Sequence, residues 1–323
     1  MTAPARGRAS ADQGYVHQLG LYSSDQGLVD LVVPFLGGGL AAEEPTFVVL
    51  EDEPLRLVKD VIGEPPGLAY VDRKAEDTNP AIAIKTYRSL FENLVGGGAA
   101  RIRVVGDVPH PGTGHRWDWW ARYEAAVNEI FAPYPVFAMC PYDTRITAPE
   151  VLSTLHRTHP FIANDEGPGL NPVYEEPEEF LRSTALPGRD EIEEEHPLFE
   201  ASLSTPSDAR DLIRRAGEQA GLSGARVEDM MLAVSEAATN SLLHGRPPVH
   251  LRVWAGHHKL VVAVSDAGEG PARPLVGLLP PAAGALDGRG LWLAHQLCDH
   301  VGYDTTPEGF TVRLIVADSP ATA

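Results

Sequence analysis

The sequence is poor in lysine and in positive charge generally. It contains four lysines in 323 residues, and its 26 basic residues face 45 acidic ones, giving a formal net charge of −19. A protein that binds the phosphate backbone of DNA or RNA needs clustered Lys and Arg to displace counterions. The composition therefore predicts no direct nucleic-acid partner and favours a basic protein partner instead.

Cysteines are equally scarce. The chain has two, Cys140 and Cys298, and no pair of cysteines is separated by only two residues. This spacing argues against a disulfide framework, and it predicts no structural zinc site of the paired-cysteine type.

Long apolar runs are also missing. No run approaches the 18 residues needed to cross a bilayer, and the polar first 15 residues lack the apolar core of a signal peptide. The sequence predicts no membrane association and a cytoplasmic location.

The residues that are present divide the chain into two ordered parts. Residues 15–163 alternate near-continuous apolar strands with helical patterns, which is typical of an α/β layer fold with a mostly parallel sheet. Residues 164–196 are rich in Pro, Gly and acid, and we interpret them as a linker with a short helix near 178–183. A second ordered unit follows at 197–318, while residues 1–14 and 319–323 are predicted to be disordered ends.

One predicted helix of the second unit contains the stretch MLAVSEAATNSLLHG, residues 231–245. Glu236 and Asn240 are four residues apart, so they stack on one side of this helix, away from its apolar stripe. A carboxylate can accept a proton, and an amide oxygen can bind a hard cation such as magnesium. Taken alone, the pair is more typical of a solvated face.

Two glycine-containing segments follow this helix. In SDAGEG, Asp266 ends an apolar strand and could accept a hydrogen bond from an exocyclic amine, while Gly268 and Gly270 allow close approach. In GRGLWLA, Gly288 and Gly290 precede a helix whose first N–H groups could bind an anion. Each segment by itself is equally typical of an ordinary turn or helix start.

The order of these segments resembles the GHKL ATPase superfamily, and within it the anti-sigma-factor serine kinases. The resemblance covers residues 197–318 and implies a Bergerat α/β sandwich, with a mixed sheet covered by helices on one face. It also implies ATP and magnesium as ligands. No P-loop lysine motif occurs anywhere in the chain, so a different type of ATP-binding fold is not indicated.

The resemblance assigns a role to each matching residue. Asn240 would bind magnesium, Glu236 would act as the catalytic general base, and Asp266 would accept the adenine amine. Residues 271–287 would form the ATP lid. The other implied nucleotide contacts, in the base pocket and at the phosphates, are Gly268, Gly270, Gly288, Arg289, Gly290, Leu291 and Thr311. Phe310 departs from the family pattern, which has Thr before the position of Thr311.

The N-terminal part resembles the MEDS sensory domain, a RecA/KaiC-like α/β module. Its implied role is sensing, and without a Walker A lysine it is not expected to hydrolyse nucleotide. The candidate sensory pocket residues are Tyr22, Tyr123, Glu124, Asn128, Cys140, Tyr142 and Asp143. The alternative is that the aromatic residues on the helix around Tyr123 belong to the core, that Cys140 is a small buried hydrophobe, and that His17 is structural.

Three functions follow from these resemblances. The first is an anti-sigma regulatory factor that binds ATP and phosphorylates a serine of an anti-anti-sigma (STAS) partner. Its other partners would be a sigma factor, an unidentified small-molecule or protein signal at the N-terminal domain, and a second copy in a homodimer. The second is a non-catalytic ATP-binding partner switch. The third is a sensor histidine kinase component, against which the missing His-bearing hairpin argues.

Overall fold

The computed structural model describes residues 14–71, 79–110, 117–164, 167–184, 189–279 and 289–318. The chain forms two compact units. The first comprises Met1–Asp77 and Ile84–Phe180, and the second comprises Thr78–Ala83 and Leu181–Ala323.

The first unit is built on a mostly parallel sheet. Its described strands are β1 (Val16–Tyr22), β2 (Thr46–Val49), β3 (Leu68–Tyr70), β4 (Ile102–Gly106), β5 (Val136–Asp143), β6 (Phe161–Asn164) and β7 (Gly167–Leu170). Its described helices are α1 (Asp25–Ala41), α2 (Asp52–Ile62), α3 (Pro80–Gly96), α4 (Trp117–Ile130), α5 (Pro149–Thr158) and α6 (Pro177–Ser183). The strand order is β3-β2-β4-β5-β1-β6-β7. The described pairings are parallel except β6 with β7, which confirms the predicted α/β layer fold.

Strand β1 lies inside this sheet, between β5 and β6, although the sequence pattern did not predict it. Polar side chains of His17 and Gln18 interrupt its apolar run, yet both are buried. The parallel register pairs Val16 with Phe137 and continues to Tyr22 with Asp143. Tertiary contacts, rather than alternating hydrophobicity, therefore specify this strand.

The acidic segment 164–196 contains more ordered structure than its composition predicted. It includes β7, the predicted short helix as α6, and a 3-10 turn at Glu191–Glu194. Arg157 of α5 explains part of this order. It donates two hydrogen bonds to Glu175, at 2.6 and 2.8 Å, and its guanidinium lies 4.8 Å from the ring centre of the buried Phe180.

The second unit is an antiparallel sheet with helices on one face. Its strands are β8 (Phe199–Leu203), β9 (Val249–Gly256), β10 (Lys259–Asp266), β11 (His300–Thr306) and β12 (Gly309–Ala317). Its helices are α7 (Arg210–Ala220), α8 (Gly224–His244) and α9 (Arg289–Leu297). The order is β11-β12-β10-β9-β8, and the four described pairings are antiparallel, where a mixed sheet was predicted. Val249 lies opposite Leu203, so β9 starts at the end of β8 and runs back along it.

The main core of this unit lies between the three helices and one sheet face. It contains Val227, Met230 and Val234 of α8, which confirms the predicted apolar stripe. The predicted helix that follows Gly290 ends at Leu297. Strand β11 begins at His300, so Val301 packs in the core from a strand.

The other sheet face is covered by the 3-10 turn of the acidic segment. Ile192 packs against a small cluster that contains Trp254. Beside it, Glu193 accepts hydrogen bonds from Nε of Arg313 at 2.9 and 3.1 Å, and both side chains are buried. A buried pair of this kind needs both partners in place.

Among the described helices, none is both long enough and apolar enough to traverse a bilayer.

Candidate functional site

Helix α8 carries Glu236 and Asn240 to a place where helix α9 begins. A Cβ on Gly290 would lie 2.5 Å from Oε2 of Glu236 and 3.2 Å from Nδ2 of Asn240. Only a residue without a side chain allows so close an approach of the first turn of α9. Within the described part of the chain, neither polar side chain has a hydrogen-bond or ion-pair partner. Three residues predicted to share one site therefore meet, and two of them present polar atoms that are available to a ligand.

Asp266 is held rigidly at the end of β10. Its Oδ1 accepts hydrogen bonds from the N–H groups of Gly268, at 2.8 Å, and Arg246, at 3.2 Å. The carboxylate also packs directly on Gly245, where a Cβ would overlap it. As far as the described residues go, Oδ2 accepts no hydrogen bond. One oxygen thus fixes the side chain, and the other is free to accept a hydrogen bond from a bound molecule.

The residues next to Asp266 make close contacts through backbone and ring atoms. A Cβ on Gly268 would lie 2.7 Å from Oδ1 of Asp266, and Gly270 has a φ of +74° with the ring of Phe310 against it. The β10–β12 register places Phe310 opposite Asp266. Phe310 belongs to the hydrophobic core, so its departure from the family pattern changes the packing beneath the site.

The remaining predicted nucleotide contacts lie on β12 and at the start of α9. Thr311 lies on β12 opposite Ser265, and their hydroxyl oxygens are 2.9 Å apart. Arg289 is exposed at the start of α9, whereas Leu291 is buried in the core and can meet a ligand only through its backbone. Gly288 lies outside the described residues.

Only the first part of the predicted lid, residues 271–279, is described. It forms turns in which Leu275 and Leu278 are buried. The hydroxyl of Tyr303 donates to the carbonyl oxygen of Val276 at 3.2 Å. This half of the lid is therefore anchored to β11. The other half, 280–287, lies outside the described residues.

The chemistry of this site follows from its polar groups. Glu236 can accept a proton, the amide oxygen of Asn240 can bind a hard cation, and Asp266 can recognise a hydrogen-bond donor. The first turn of α9 carries backbone N–H groups that have no partner within the helix, and such groups favour an anion. A base, a cation and a phosphate chain would each find a matching group.

In the N-terminal unit, three of the predicted pocket residues line one cavity. Tyr22, Tyr142 and Asp143 surround a space of about 590 Å³. Burial opposes ionisation of Asp143, but hydrogen bonds from Arg145 outweigh it and lower the pKa of that carboxyl. Burial also raises the pKa of Tyr22, so its hydroxyl stays protonated. The cavity thus offers a carboxylate and phenol groups to a small polar ligand.

The other predicted pocket residues do not line this cavity. Glu124, Asn128 and Cys140 form a separate buried cluster with His17 and His159. Tyr142 is shared, because its hydroxyl donates to Oε1 of Glu124 at 2.6 Å. Tyr123 belongs to neither group and packs on Trp120, with ring centres 5.3 Å apart, as the core alternative predicted. The sequence assigned no role to His159 and indicated a structural role for His17, and the structure brings both rings to this cluster.

Comparisons with known proteins assign both units. Residues 16–160 match the family model described as MEDS, the methanogen/methylotroph DcmR sensory domain. Residues 199–316 match the family model of the histidine kinase-like ATPase domain. The search of curated proteins found no match to the chain. The chain therefore carries a MEDS domain in its N-terminal part and a histidine-kinase-like ATPase domain in its C-terminal part, and the ATPase-like domain implies ATP binding.

Two solved structures resemble part of the chain. The RsbU and RsbW domains of Rv1364c from Mycobacterium tuberculosis match with 18% identity and a TM-score of 0.28, over 39% of this chain and 34% of that one. This chain thus spans about a third of that structure's length. The histidine kinase domain of the E. coli osmosensor EnvZ matches with 15% identity and a TM-score of 0.24, over 40% of this chain and 94% of that one. Values this low leave the assignment to the two family models.

Proposed function

We propose that this protein is a regulatory serine kinase of the anti-sigma type, gated by its N-terminal sensory domain. The observation that carries the proposal is the meeting of Glu236, Asn240 and Gly290, together with the fixed carboxylate of Asp266 at the end of β10. The proposed sensory and kinase domains span residues 15–163 and 197–318. Because sigma factors act on cytoplasmic RNA polymerase, the role places the protein in the cytoplasm.

The site fits Mg-ATP residue by residue. Asp266 offers Oδ2 to the adenine amine, Asn240 offers an amide oxygen to magnesium, and the start of α9 offers N–H groups to the phosphates. Magnesium, when bound, neutralises charge on the phosphate oxygens. The absence of a side chain at Gly290 lets the start of α9 lie directly against Glu236 and Asn240.

Glu236 is the proposed general base. In the transfer, the serine oxygen of the partner forms a bond to the γ-phosphorus while the bond to the β–γ bridging oxygen breaks, and ADP leaves. The serine proton passes to Glu236. A partly buried carboxylate without a hydrogen-bond partner among the described residues suits this role, because its lone pairs are not already committed.

The proposed partners are a sigma factor and a STAS-type anti-anti-sigma protein. The ATPase family match over 199–316 supports them, together with the residue pattern of the anti-sigma-factor kinases. The strongly acidic chain suits a partner with a basic surface. A homodimer of the kinase domain is proposed on the same family grounds.

The test is incubation of the full chain with γ-labelled ATP, magnesium and candidate STAS proteins. Acid-stable phosphoserine on a STAS protein is the expected product. Bound ATP without any labelled product would contradict the kinase role and leave a non-catalytic switch. Acid-labile label on the chain itself would instead identify a histidine kinase.

A further inference from the structure

Four side chains from different parts of the N-terminal unit converge on one buried point. They are His17 on β1, Glu124 on α4, Cys140 on β5 and His159 just after α5. None is more than 9% exposed. Each directs one nitrogen, oxygen or sulfur atom inwards, and all four atoms lie within 4.8 Å of one another. Neither the proposed kinase site nor the neighbouring cavity uses this cluster.

The hydrogen bonds around the cluster fix which ring nitrogens face inwards. The amide nitrogen of Asn128 donates to three backbone carbonyls, so its oxygen must accept from Nδ1 of His17, 3.1 Å away. Likewise, Nδ1 of His159 donates to the carbonyl oxygen of Leu155 at 2.8 Å. In a neutral imidazole, a proton on Nδ1 leaves a lone pair on Nε2. In their neutral forms both histidines therefore point lone pairs into the cluster.

These lone pairs meet an acceptor rather than a donor. Nε2 of His17 lies 3.2 Å from Oε2 of Glu124, and Nε2 of His159 lies 3.5 Å from the same oxygen. Within the described residues, neither Oε2 of Glu124 nor Nε2 of His159 has a hydrogen-bond partner. Buried polar atoms normally have partners, so acceptors facing acceptors at this depth indicate a missing positive group.

The burial of Glu124 points the same way. Its side chain is buried, and Oε1 already accepts the hydrogen bond of the Tyr142 hydroxyl, so Oε2 faces the two imidazole nitrogens at 3.2 and 3.5 Å. A carboxylate at this depth is costly unless a positive group pairs with it.

We propose that His17, Glu124, Cys140 and His159 bind a divalent transition-metal ion of the zinc class. Bonds of about 2.0–2.3 Å to nitrogen, oxygen and sulfur give a tetrahedron with edges of about 3.3–3.8 Å. Three of the six separations are close to those edges: 3.2 Å and 3.5 Å from Oε2 of Glu124 to the two Nε2 atoms, and 3.3 Å from Sγ of Cys140 to Nε2 of His17. All four donor atoms lie within 4.8 Å of one another. Two imidazoles, a carboxylate and a thiol form a donor set that zinc commonly takes.

A bound cation also balances the charge. A coordinated thiol loses its proton. Thiolate and carboxylate together then neutralise the two positive charges of the ion, and the buried site carries no net charge.

The groups around the ligands resemble the outer shell of known metal sites. Asn128 and the Leu155 carbonyl orient the two imidazoles, and the Tyr142 hydroxyl holds the other oxygen of Glu124 at 2.6 Å. Such partners fix ligand geometry and raise metal affinity. Because Tyr142 also lines the 590 Å³ cavity, it is a direct physical link between a ligand there and the metal site. The four ligands are spread over residues 17 to 159, so no short spacing of cysteines and histidines marks this site in the sequence.

The first test uses the untagged full-length protein. Metal analysis after purification without chelator should find about one zinc-class ion per chain. After exchange for cobalt(II), the protein should show visible d–d bands and a thiolate-to-cobalt charge-transfer band. X-ray absorption should fit one sulfur at about 2.3 Å and three nitrogen or oxygen ligands at about 2.0–2.2 Å. Wild-type protein that contains no metal and takes up no cobalt would overturn the proposal and leave a purely hydrogen-bonded cluster.

The two cysteines provide a matched pair of variants. Cys140→Ser should lose the charge-transfer band, and Cys298→Ser, at the other buried cysteine, should keep it. His159→Gln should lower cobalt affinity at least about tenfold, because metal sites depend strongly on each ligand. A charge-transfer band that survives in Cys140→Ser and disappears in Cys298→Ser would refute the assignment, and it would do so independently of any kinase activity.

Discussion

Asp266→Asn tests how the site recognises a base. Oδ1 of Asp266 accepts the N–H groups of Gly268 and Arg246, and an asparagine oxygen can accept both. The change therefore preserves the local turn and replaces only the free Oδ2 by an NH2 group. That group cannot accept a hydrogen bond from the adenine amine, so two donors would face each other.

The expected loss is large enough to measure. A hydrogen bond to a charged acceptor contributes about 1.5–3 kcal/mol, which corresponds to roughly a 10- to 150-fold weaker binding of ATP. Because two donor groups would face each other, we expect the weakening of ATP binding to lie toward the upper end of this range. The free energy of unfolding should fall by only about 1 kcal/mol, since the two internal hydrogen bonds persist with a neutral acceptor.

Isothermal titration with ATP and with inosine triphosphate measures both affinity and selectivity. Inosine carries a carbonyl oxygen where adenine has its amine. The wild type should prefer ATP, and Asp266→Asn should lose or reverse this preference. Glu269→Gln, which removes the same charge from an exposed neighbour, is the control. An Asp266→Asn variant with wild-type affinity and selectivity for ATP would refute the assignment of Asp266.

Three further predictions concern the close contacts of the second unit. Gly290→Ala should weaken ATP binding about tenfold, because the added methyl group displaces Glu236, even though alanine favours the helix itself. Gly224→Ala is the control for this titration, since a Cβ at Gly224 would have no described atom within 4 Å. Glu236→Gln should keep ATP affinity and reduce phosphoserine formation at least about 100-fold in the labelled-ATP assay. Glu193→Ala should lower the free energy of unfolding in urea by about 3 kcal/mol, because it leaves the buried Arg313 with a weaker partner.

Each of these has a contradicting outcome. Equal ATP affinity in the Gly290 variant would mean that the start of α9 is not part of the site. Unchanged phosphoserine formation in the Glu236 variant would remove the general-base role. A loss below about 1 kcal/mol in the Glu193 variant, typical of an exposed ion pair, would mean that the 3-10 turn is not packed on the sheet.

Regular patterns and motif order predicted much of this molecule. The apolar stripe of α8 fixes which side of the helix is buried, so Glu236 and Asn240 had to share the opposite side. The order of the helix, the Asp266 strand end and the Gly290 helix start then predicted the fold of the second unit. These features were predictable because each depends on local periodicity or on a short motif.

Features that depend on distant contacts were not predictable in this way. Strand β1 is specified by its neighbours in the sheet, and the order of the acidic segment depends on Arg157 and Arg313. The buried cluster joins His17 to Cys140, 123 residues further along the chain. No spacing rule connects such residues, because only the completed fold brings them together.

In the proposed site, Asn240 holds the magnesium of a nucleotide bound beside α9. The direct test of this role is titration of ATP with and without magnesium, in the wild type and in Asn240→Ala. Thr239→Ala is the control, because the hydroxyl of the adjacent Thr239 donates to the carbonyl oxygen of Ser235 in its own helix. Magnesium should strengthen ATP binding at least about tenfold in the wild type and the control, and not in Asn240→Ala. If Asn240→Ala bound Mg-ATP with wild-type affinity, Asn240 would not be a magnesium ligand and the proposed site would be wrong.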